Sequence, residues 1–493
     1  MADDRFSRLQ ATAQALTTAG DGDVHRFVEK RVLLTGTAEV LATDNGADMV
    51  VCSLLLLMRT TKSLDVALPD GMDDLARELS GWAASHAWDE IPRVFTGLVD
   101  LRPYDAILSV GGAPRSGLPW TVITSDGWLA RVTSGPIPID QTCHQTNPVG
   151  AQAAASLGVA EVFKRLLGLR SDRGRFLNGC SFSLWTYSSS SEAGPGLPDV
   201  LEVDLVLAGC GAIGNGVAHA LSRLPVRGRC STLDAQNYGE ENWGTCVRLT
   251  RKGSTGPKAT FVAADVLGER FEPDPVCGFV EDVEAQAGWR TPRVVLSGFD
   301  NVEARHAVQD LWPDIVIDGA IGRKLECQVS AHPWNADIAC LRCIFEAPAG
   351  ESARAVQRRL TGLADRTLVD LTRTLSESDV AAARAEKQPW LRGQVGKPLC
   401  SVLEAAGELA EGEQVTGFRP SVPFVATMSA AMMVTELVRY LMTGKVGVQP
   451  RFLFSLLWGP QRGEHFDEDR HADCVCSTRS TNINRARAGR NAA

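Results

Sequence analysis

The chain has 493 residues, of which 44% are hydrophobic and 22% charged, as is usual for a soluble globular protein. This length suits about two to four domains. Fifty basic against 59 acidic residues give a net charge of -9, which argues against nucleic acid or an anionic membrane as the main partner. The acidic, polar start does not resemble a signal peptide, so we expect a cytoplasmic protein. In that compartment the 13 cysteines suggest metal binding or catalysis rather than disulfides.

The first half predicts an α/β domain without a working phosphate loop. Residues 1–30 predict a helical arm that opens with Arg5-Phe6-Ser7-Arg8-Leu9. The strand predicted at 31–36 runs into a turn that lacks the second and third glycines of such a loop. Further predicted elements are strands at 49–54, 105–110 and 120–124 and helices at 73–84 and 149–167.

A phosphate-binding motif opens the second half. The apolar run 203–208 predicts a buried strand, and it ends at Gly209-Cys210-Gly211-Ala212-Ile213-Gly214. Glycines there let the backbone approach a phosphate, which would face the N–H groups of a helix starting near residue 213. A second strand ends at Asp234, whose carboxylate could accept hydrogen bonds from ribose hydroxyls. The motif predicts a nucleotide site, and the alternative is a glycine turn without a ligand.

Two charged residues follow at positions where phosphates would lie. Strands predicted at 294–297 and 315–318 end in polar clusters, and Asp300 belongs to the first of them. A carboxylate that faces phosphates suits Mg²⁺, although Asp300 could equally cap the next helix. Lys258 follows a Gly-Pro turn and enters a helix, where it could reach the phosphates or remain a solvated surface lysine.

Cysteine spacing predicts a structural zinc site. Cys340 and Cys343 form a Cys-x-x-Cys half-site, and Cys474 and Cys476 add two more sulfurs far downstream. Four thiolates complete a tetrahedral zinc site, the alternative being unrelated cysteines. His471 is a substitute ligand in this interpretation.

Two long segments near the C-terminus carry different signals. Residues 350–397 are mostly helical in pattern and lead to Cys400, which is either buried filler or a nucleophile. The apolar run 422–442 approaches membrane-span length, but Ser429, Glu436 and Arg439 favour a buried core helix. Residues 477–493 are polar and basic and predict a frayed tail.

These residues, in this order, resemble the ubiquitin-activating-enzyme family of ThiF/MoeB-like adenylyltransferases, closely over 200–345 and 395–476. The resemblance implies that ATP contacts the loop glycines, Asp234, Asn242 and Lys258, and that Asp300 binds Mg²⁺. It also implies that Cys340, Cys343, Cys474 and Cys476 bind zinc. Cys400, ahead of Gly417-Phe418-Arg419-Pro420-Ser421-Val422-Pro423, falls where the family has its thioester-forming cysteine.

The same resemblance explains the first half. It implies two tandem Rossmann-like adenylation domains, the first inactive and the second active, with a helical catalytic-cysteine segment. Arg5-Phe6-Ser7-Arg8-Leu9 is similar to the arm by which one adenylation domain reaches the ATP site of the other, with Arg8 at the finger position. Where the family has an arginine three residues after Asn242, this chain has Thr245, so Arg248 or Arg251 is a candidate substitute, the alternative being that Arg8 carries more of the charge. The alternative for Arg8 is a surface arginine on a frayed arm.

The resulting division of the chain has six parts. They are an inactive adenylation-like domain with its arginine arm (1–185), a linker (186–200), the nucleotide-binding part of the active domain (201–349), a helical catalytic-cysteine segment (350–415), the remainder of the active domain with its zinc half-site (416–476) and the tail (477–493).

The expected function is activation of a ubiquitin-like protein by C-terminal adenylation, thioester formation on Cys400 and transfer to a separate conjugating enzyme. Such inactive-plus-active pairs resemble activating enzymes of bacterial ubiquitin-like conjugation systems implicated in phage defence. Alternatives are sulfur-carrier adenylylation, a nicotinamide-dependent oxidoreductase and a non-catalytic scaffold. The sequence leaves open whether two chains form a homodimer.

Overall fold

A computed structural model describes residues 4–17, 26–285, 289, 292–322, 324–334, 337–345, 353–369, 373–397, 399, 402–403, 406, 421–448 and 450–491. Within these residues the protein is α/β, with two mixed sheets whose central strands are parallel in the Rossmann manner. The alternation of short apolar runs with helical segments is what produces this layered arrangement.

The first half forms a seven-stranded sheet in the order β3-β2-β1-β4-β5-β6-β7. The first five strands in this order, from β3 through β2, β1 and β4 to β5, run parallel to one another. Strands β6 and β7 add antiparallel to one edge of the sheet. Its strands are β1 (Arg31–Gly36), β2 (Ser63–Leu68), β3 (Arg93–Thr96), β4 (Ala106–Val110), β5 (Trp120–Asp126), β6 (Leu129–Thr133) and β7 (Cys180–Ser183). Its helices are α1 (Ser7–Leu16), α2 (Ala38–Leu41), α3 (Asp44–Leu57), α4 (Asp73–His86) and α5 (Pro148–Leu167).

The second half repeats this strand order in an eight-stranded sheet, β10-β9-β8-β11-β12-β13-β14-β15, again parallel at first and antiparallel from β13 onward. Its strands are β8 (Leu201–Ala208), β9 (Val226–Leu233), β10 (Asp274–Val276), β11 (Val294–Ser297), β12 (Ile315–Ile321), β13 (Glu326–Pro333), β14 (Arg451–Ser455) and β15 (Glu464–Phe466). Its helices are α6 (Ala212–Arg223), α7 (Glu240–Trp243), α8 (Lys258–Phe261), α9 (Val302–Asp310), α10 (Leu341–Ile344), α11 (Ala353–Thr361), α12 (Glu377–Ala382), α13 (Gln388–Arg392), α14 (Pro423–Thr443), α15 (Val475–Thr478) and α16 (Ser480–Asn491).

Helices α5 and α14 are counterparts in the two halves, and they pack against each other. Each begins with a proline and ends at a glycine in the left-handed region, Gly168 and Gly444. Each also carries a buried ion pair one turn apart, and the two pairs lie at the same positions relative to the starting proline. These pairs are Glu161–Lys164 and Glu436–Arg439. A residue-level correspondence thus accompanies the repeated strand order.

Among the described residues, α14 is the one helix that is long and apolar enough to cross a membrane. In the folded chain it contacts α5, α6, β12 and β13, and most of its apolar stretch is buried. The prediction of a buried core helix is confirmed.

Three other sequence predictions differ from the structure. Residues 49–54 are part of α3 and not a strand, because Thr43 accepts a hydrogen bond from Gly46 N and so starts a helix that is buried on nearly all sides. Residues 170–200 are linker-like in composition, with Ser188–Ser191 and Gly194-Pro195-Gly196, but they include β7, which pairs with β6. The C-terminal stretch contains α16, which Asn484 holds to Trp334 by a 2.6 Å hydrogen bond and which Arg487 holds to Asp314 by a 2.6 Å ion pair.

The helical segment after α10 has a small core of its own. Leucines and valines from α12, α13 and the connecting chain between residues 363 and 403 pack there, including Leu399 and Val402. Its polar centre is Asp379, which accepts hydrogen bonds from Thr367 Oγ1 (3.0 Å), Ser376 N (3.1 Å) and both terminal nitrogens of Arg373 (2.7 and 2.9 Å). These donors, the arginine foremost, hold the pKa of the Asp379 carboxyl well below its usual range.

We expect Asp379→Asn to lower the free energy of local unfolding of this segment by about 2 kcal/mol at pH 7, because an ionised acceptor of several hydrogen bonds becomes neutral. Hydrogen exchange of α12 measures this. Because the pKa of Asp379 is lower in the folded than in the unfolded chain, its carboxylate contributes its full stabilisation above the unfolded pKa of about 4. This stabilisation is lost as the pH falls through the pKa of the folded state. The difference between wild type and variant should therefore shrink below pH 4.

The matched control is Asp365→Asn, which removes an exposed ion pair with Arg358 at 3.3 Å in the same segment. It should change the local stability by less than about 0.5 kcal/mol. Equal effects of the two substitutions would contradict the central role of Asp379.

Candidate nucleotide site and cysteine cluster

The glycine loop between β8 and α6 has the conformation that the motif predicts. Gly209 has φ of 88°, in the left-handed region, and α6 begins at Ala212 with Gly211 as its N-cap. A Cβ at position 214 would lie 2.1 Å from the Gly209 carbonyl oxygen, so α6 can approach the strand this closely only with glycine there. A Cβ on Gly211 would meet nothing within 4 Å, so the space in front of the loop is open.

Side chains from outside the motif hold the loop in place. Tyr238 donates its hydroxyl hydrogen to the Cys210 carbonyl at 2.5 Å, and Asn215 donates to the same carbonyl at 3.1 Å. Asp234, at the end of β9, accepts a 2.8 Å hydrogen bond from Cys210 N. The loop is therefore rigid without any ligand, which reduces the entropy that binding must overcome.

Asp234 and Lys258 belong to one hydrogen-bonded chain. Asp234 also accepts from Gln236 N at 2.8 Å, and Gln236 Oε1 accepts from Lys258 Nζ at 2.6 Å. Gln236 is a residue that sequence reasoning missed, and its place two residues after the strand-end acid was the available signal. The predicted loop, acid and lysine are thus brought together.

Lys258 is a buried cation, with 5% of its surface exposed. Its ammonium contacts the Gln236 amide oxygen and the ring of Tyr238, 5.7 Å from the ring centre. Within the described part of the chain, no carboxylate lies within ion-pair distance of it. A buried charge with a neutral partner is costly, and a bound anion would offset that cost.

The loop after β11 borders the glycine loop. Gly298 N donates to the Ala208 carbonyl at 2.8 Å, and a Cβ on Gly298 would lie 3.4 Å from Gly214 N. Asp300 follows with an exposed side chain. The cap of α9 is Asn301, whose side chain accepts from Ala304 N at 2.7 Å. Asp300 therefore does not cap the helix, and its carboxylate is a suitable oxygen ligand for Mg²⁺.

The N-terminal arm packs against the second half. Phe6 meets Trp243 edge to face at 6.1 Å. Burial raises the pKa of the nearby Cys246 thiol, and the positive charges of Lys258 and Arg8 oppose that rise. Arg8, from the arm, and Lys258, from α8, therefore act electrostatically on the same thiol.

The segment that carries Asn242 and Thr245 contains no cation directed at the loop among its described contacts. Asn242 Oδ1 accepts from Gly239 N at 2.9 Å, and Thr245 Oγ1 donates to the Asn242 carbonyl at 3.2 Å. Arg248 donates to Ser222 Oγ at 3.2 Å, near the C-terminal end of α6, whereas the glycine loop is at its N-terminal end. Arg251 donates to the Trp88 carbonyl at 3.4 Å. Both arginine side chains therefore have described partners away from the glycine loop.

The corresponding position in the first half is filled. Helix α2 follows β1 directly, and its Val40 and Leu41 are buried. A Cβ on Gly111, after β4, would lie 2.6 Å from a Val40 methyl, and one on Gly36 would lie 2.8 Å from Leu41. Apolar side chains thus occupy the sheet edge that is open at Gly211 in the second half.

The four predicted zinc cysteines converge. All four sulfurs lie within 4.8 Å of one another, and three of the pairs are 3.6, 3.7 and 3.8 Å apart. Zinc–sulfur bonds of about 2.3 Å in a tetrahedron put sulfurs about 3.8 Å apart, so the geometry fits zinc. His471 is not one of this group, and its backbone N–H faces the Cys343 sulfur at 3.5 Å.

Cys400 and residues 417–420 lie outside the described residues. The neighbouring Leu399 and Val402 are fully buried in the small core of the helical segment. Among the described residues of that segment, Val369 contacts the nucleotide site, since its carbonyl accepts from Gln236 Nε2 at 3.1 Å.

No protein-family model and no curated protein matches this sequence. Solved structures that are similar include E. coli MccB with succinimide (11% identity, TM-score 0.34), covering 56% of this chain and 66% of that one. E. coli MccB with ATP has 12% identity and a TM-score of 0.35, covering 56% and 67%. Selenomethionine PaaA has 14% identity and a TM-score of 0.32, covering 54% and 72%. The chain spans about two thirds of the length of MccB.

We expect the purified protein to hold about one zinc ion per chain, measured by mass spectrometry of the metal, because four thiolates make a closed tetrahedral site. Cys340→Ser should reduce the zinc content to near zero and raise hydrogen exchange in α10 and α15, which the ion would join. Cys277→Ser, at an exposed cysteine, is the control and should retain the metal. Full zinc content in Cys340→Ser would contradict this assignment.

Proposed function

We propose that the second half of this chain uses ATP to activate the C-terminal carboxylate of a ubiquitin-like protein. Adenylation is the first step and thioester formation on Cys400 the second. The observation that carries the proposal is the buried, carboxylate-free ammonium of Lys258, joined through Gln236 and Asp234 to an open glycine loop. This arrangement suits a nucleotide phosphate, and the family resemblance supplies the reaction.

In the first step, a carboxylate oxygen of the partner attacks the α-phosphorus of ATP, and the bond to the pyrophosphate oxygen breaks. Negative charge grows on the phosphate oxygens during this step. Lys258 and Arg8 would offset it, and the N–H groups at the start of α6 would donate to the phosphates. Asp234 would accept from the ribose hydroxyls, and Asn242 would contact the nucleotide. When bound at Asp300, Mg²⁺ would neutralise phosphate charge.

In the second step, the Cys400 thiol gives its proton to solvent and its sulfur attacks the carbonyl carbon of the acyl-adenylate. The carbon–sulfur bond forms, the carbon–oxygen bond to AMP breaks and AMP leaves. The contact between Gln236 and the Val369 carbonyl supports access of the helical segment to this site. The thioester would then pass to the cysteine of a separate conjugating enzyme.

The first half would be a non-binding partner. Its sheet edge is filled by Val40 and Leu41, and its arm would supply Arg8 to the second half. Zinc on the cysteine cluster would fix α10 to the C-terminal residues and would take no part in the chemistry.

Gly211→Leu should abolish binding of MgATP while leaving the melting temperature within a few degrees of wild type. The reason is that the new side chain enters open space in front of the loop and displaces only the phosphate. Isothermal titration with MgATP measures the affinity. Gly196→Leu, whose Cβ also meets nothing within 4 Å, is the control and should bind normally. Normal binding by Gly211→Leu would place the nucleotide elsewhere.

Cys400→Ala should retain ATP–pyrophosphate exchange with the cognate ubiquitin-like protein but lose the DTT-sensitive conjugate, because the sulfur acts only after adenylation. Asp300→Ala should lose exchange as well, because Mg²⁺ would lose its carboxylate ligand and the charge of the phosphates would no longer be offset. An intact conjugate in Cys400→Ala would exclude it as the nucleophile. Exchange without any conjugate in wild type would favour the sulfur-carrier alternative.

A further inference from the structure

The chain between Asp234 and Lys258 forms one long loop that leaves the nucleotide site and returns to it. Its two ends are paired at the base, where Tyr238 N donates to the Gly256 carbonyl and Lys258 N to the Gln236 carbonyl, both at 2.9 Å. Helix α7 and residues 244–249 form its outer part. We call residues 242–249 the outer segment; it contains Asn242 and Cys246.

Arg59, just after α3 of the first half, donates to three carbonyls of the outer segment. They belong to Trp243 (Nε, 2.9 Å), Cys246 (Nε, 3.1 Å) and Leu249 (Nη2, 2.8 Å). A fourth bond runs from Nη1 to the Leu55 carbonyl of α3 at 2.8 Å. The side chain is fully buried, and its described partners include no carboxylate.

A second contact holds the same segment to the first half. The Trp243 indole N–H donates to the carbonyl of His86, the last residue of α4, at 2.9 Å. Phe6 and Trp88 meet the indole edge to face, each at 6.1 Å, and the Arg59 guanidinium lies 4.9 Å from its ring centre. These contacts come from the arm, α3, α4 and the loop after α4.

Burial lowers the pKa of Arg59 to about 9, so the guanidinium stays protonated at neutral pH. A buried cation without a counter-charge is retained here because its donors fit several backbone carbonyls at once, among them the Cys246 carbonyl, which also accepts from Leu249 N. A lysine could not match it, since one compact ammonium cannot span carbonyls from three residues. The contact is therefore specific to arginine.

We propose that Arg59 is a positioning residue by which the first half holds the outer segment, and with it Asn242 and Cys246, against the nucleotide site. The first half would thus shape the site of its neighbour through Arg59 as well as through Arg8. This inference rests on the proposed function only for its ATP readout.

The test compares Arg59→Met and Arg59→Lys with wild type by hydrogen exchange over 242–249 and by calorimetric titration with MgATP. In Arg59→Met we expect faster exchange in this segment and MgATP affinity weaker by about tenfold, because a small displacement of binding groups is costly. Arg59→Lys should restore part of the affinity. Arg131→Met is the control, because Arg131 is buried but its described partners, Asp126, Asp140 and Thr142, all belong to the first half. It should lower the melting temperature without weakening MgATP binding in the folded protein.

Wild-type exchange over 242–249 in Arg59→Met would overturn the inference, and so would faster exchange with unchanged MgATP affinity. If Arg59→Met does not fold, Arg59→Lys decides alone, and wild-type exchange and affinity in that variant would overturn the inference. If wild type binds no MgATP, the proposed function fails, and hydrogen exchange still shows whether Arg59 holds the segment.

Discussion

The contact between α5 and α14 joins the two halves of the chain beside the glycine loop. Each helix lies on its own sheet, and their packing sets the orientation of the two halves. Helix α6 joins this layer closely, since a Cβ on Gly216 would lie 2.7 Å from that of Ala430. Gln152 of α5 donates to the carbonyls of both Gly216 and Thr427, at 3.2 and 3.0 Å. Because α6 starts at the glycine loop, a shift of α5 against α14 would move the loop itself.

Buried charged side chains have different kinds of partner inside and outside the candidate site. Glu161 with Lys164 and Glu436 with Arg439 are paired within their helices, so each charge has its counter-charge. Arg59 has no such counter-charge among its described partners, and its guanidinium donates hydrogen bonds to four backbone carbonyls instead. The described contacts of the Lys258 ammonium are a single amide oxygen and a ring. Of these buried charges, Lys258 gains most from an anionic ligand, since its ammonium keeps donors to spare.

Local sequence was enough for the parts of the site that depend on local structure. The strand β8, the glycine turn and the start of α6 follow from an apolar run that meets glycines, and the strands at 294–297 and 315–318 are confirmed for the same reason. The prediction of a strand at 49–54 was wrong, because a helix that is buried on nearly all sides has no periodicity that distinguishes it from a buried strand. The contacts of Arg59 join residues about 190 positions apart, and no local pattern indicates them. The correspondence of α5 with α14 emerges only when the shared strand order shows which helices to compare.

The apolar side chains that fill the sheet edge of the first half offer a reason why a half that binds no nucleotide would be kept. An unused phosphate loop would leave glycines and unpaired N–H groups at an open edge, whereas α2 replaces them with buried Val40 and Leu41. That stabilises the first half, and under the proposed function its arm, Arg59 and the carbonyl of His86 would be in place before a nucleotide binds. A half that opened and closed with its own nucleotide could not hold the outer segment of its neighbour constantly. Loss of binding in one half and support of the other would then both follow from the same packing.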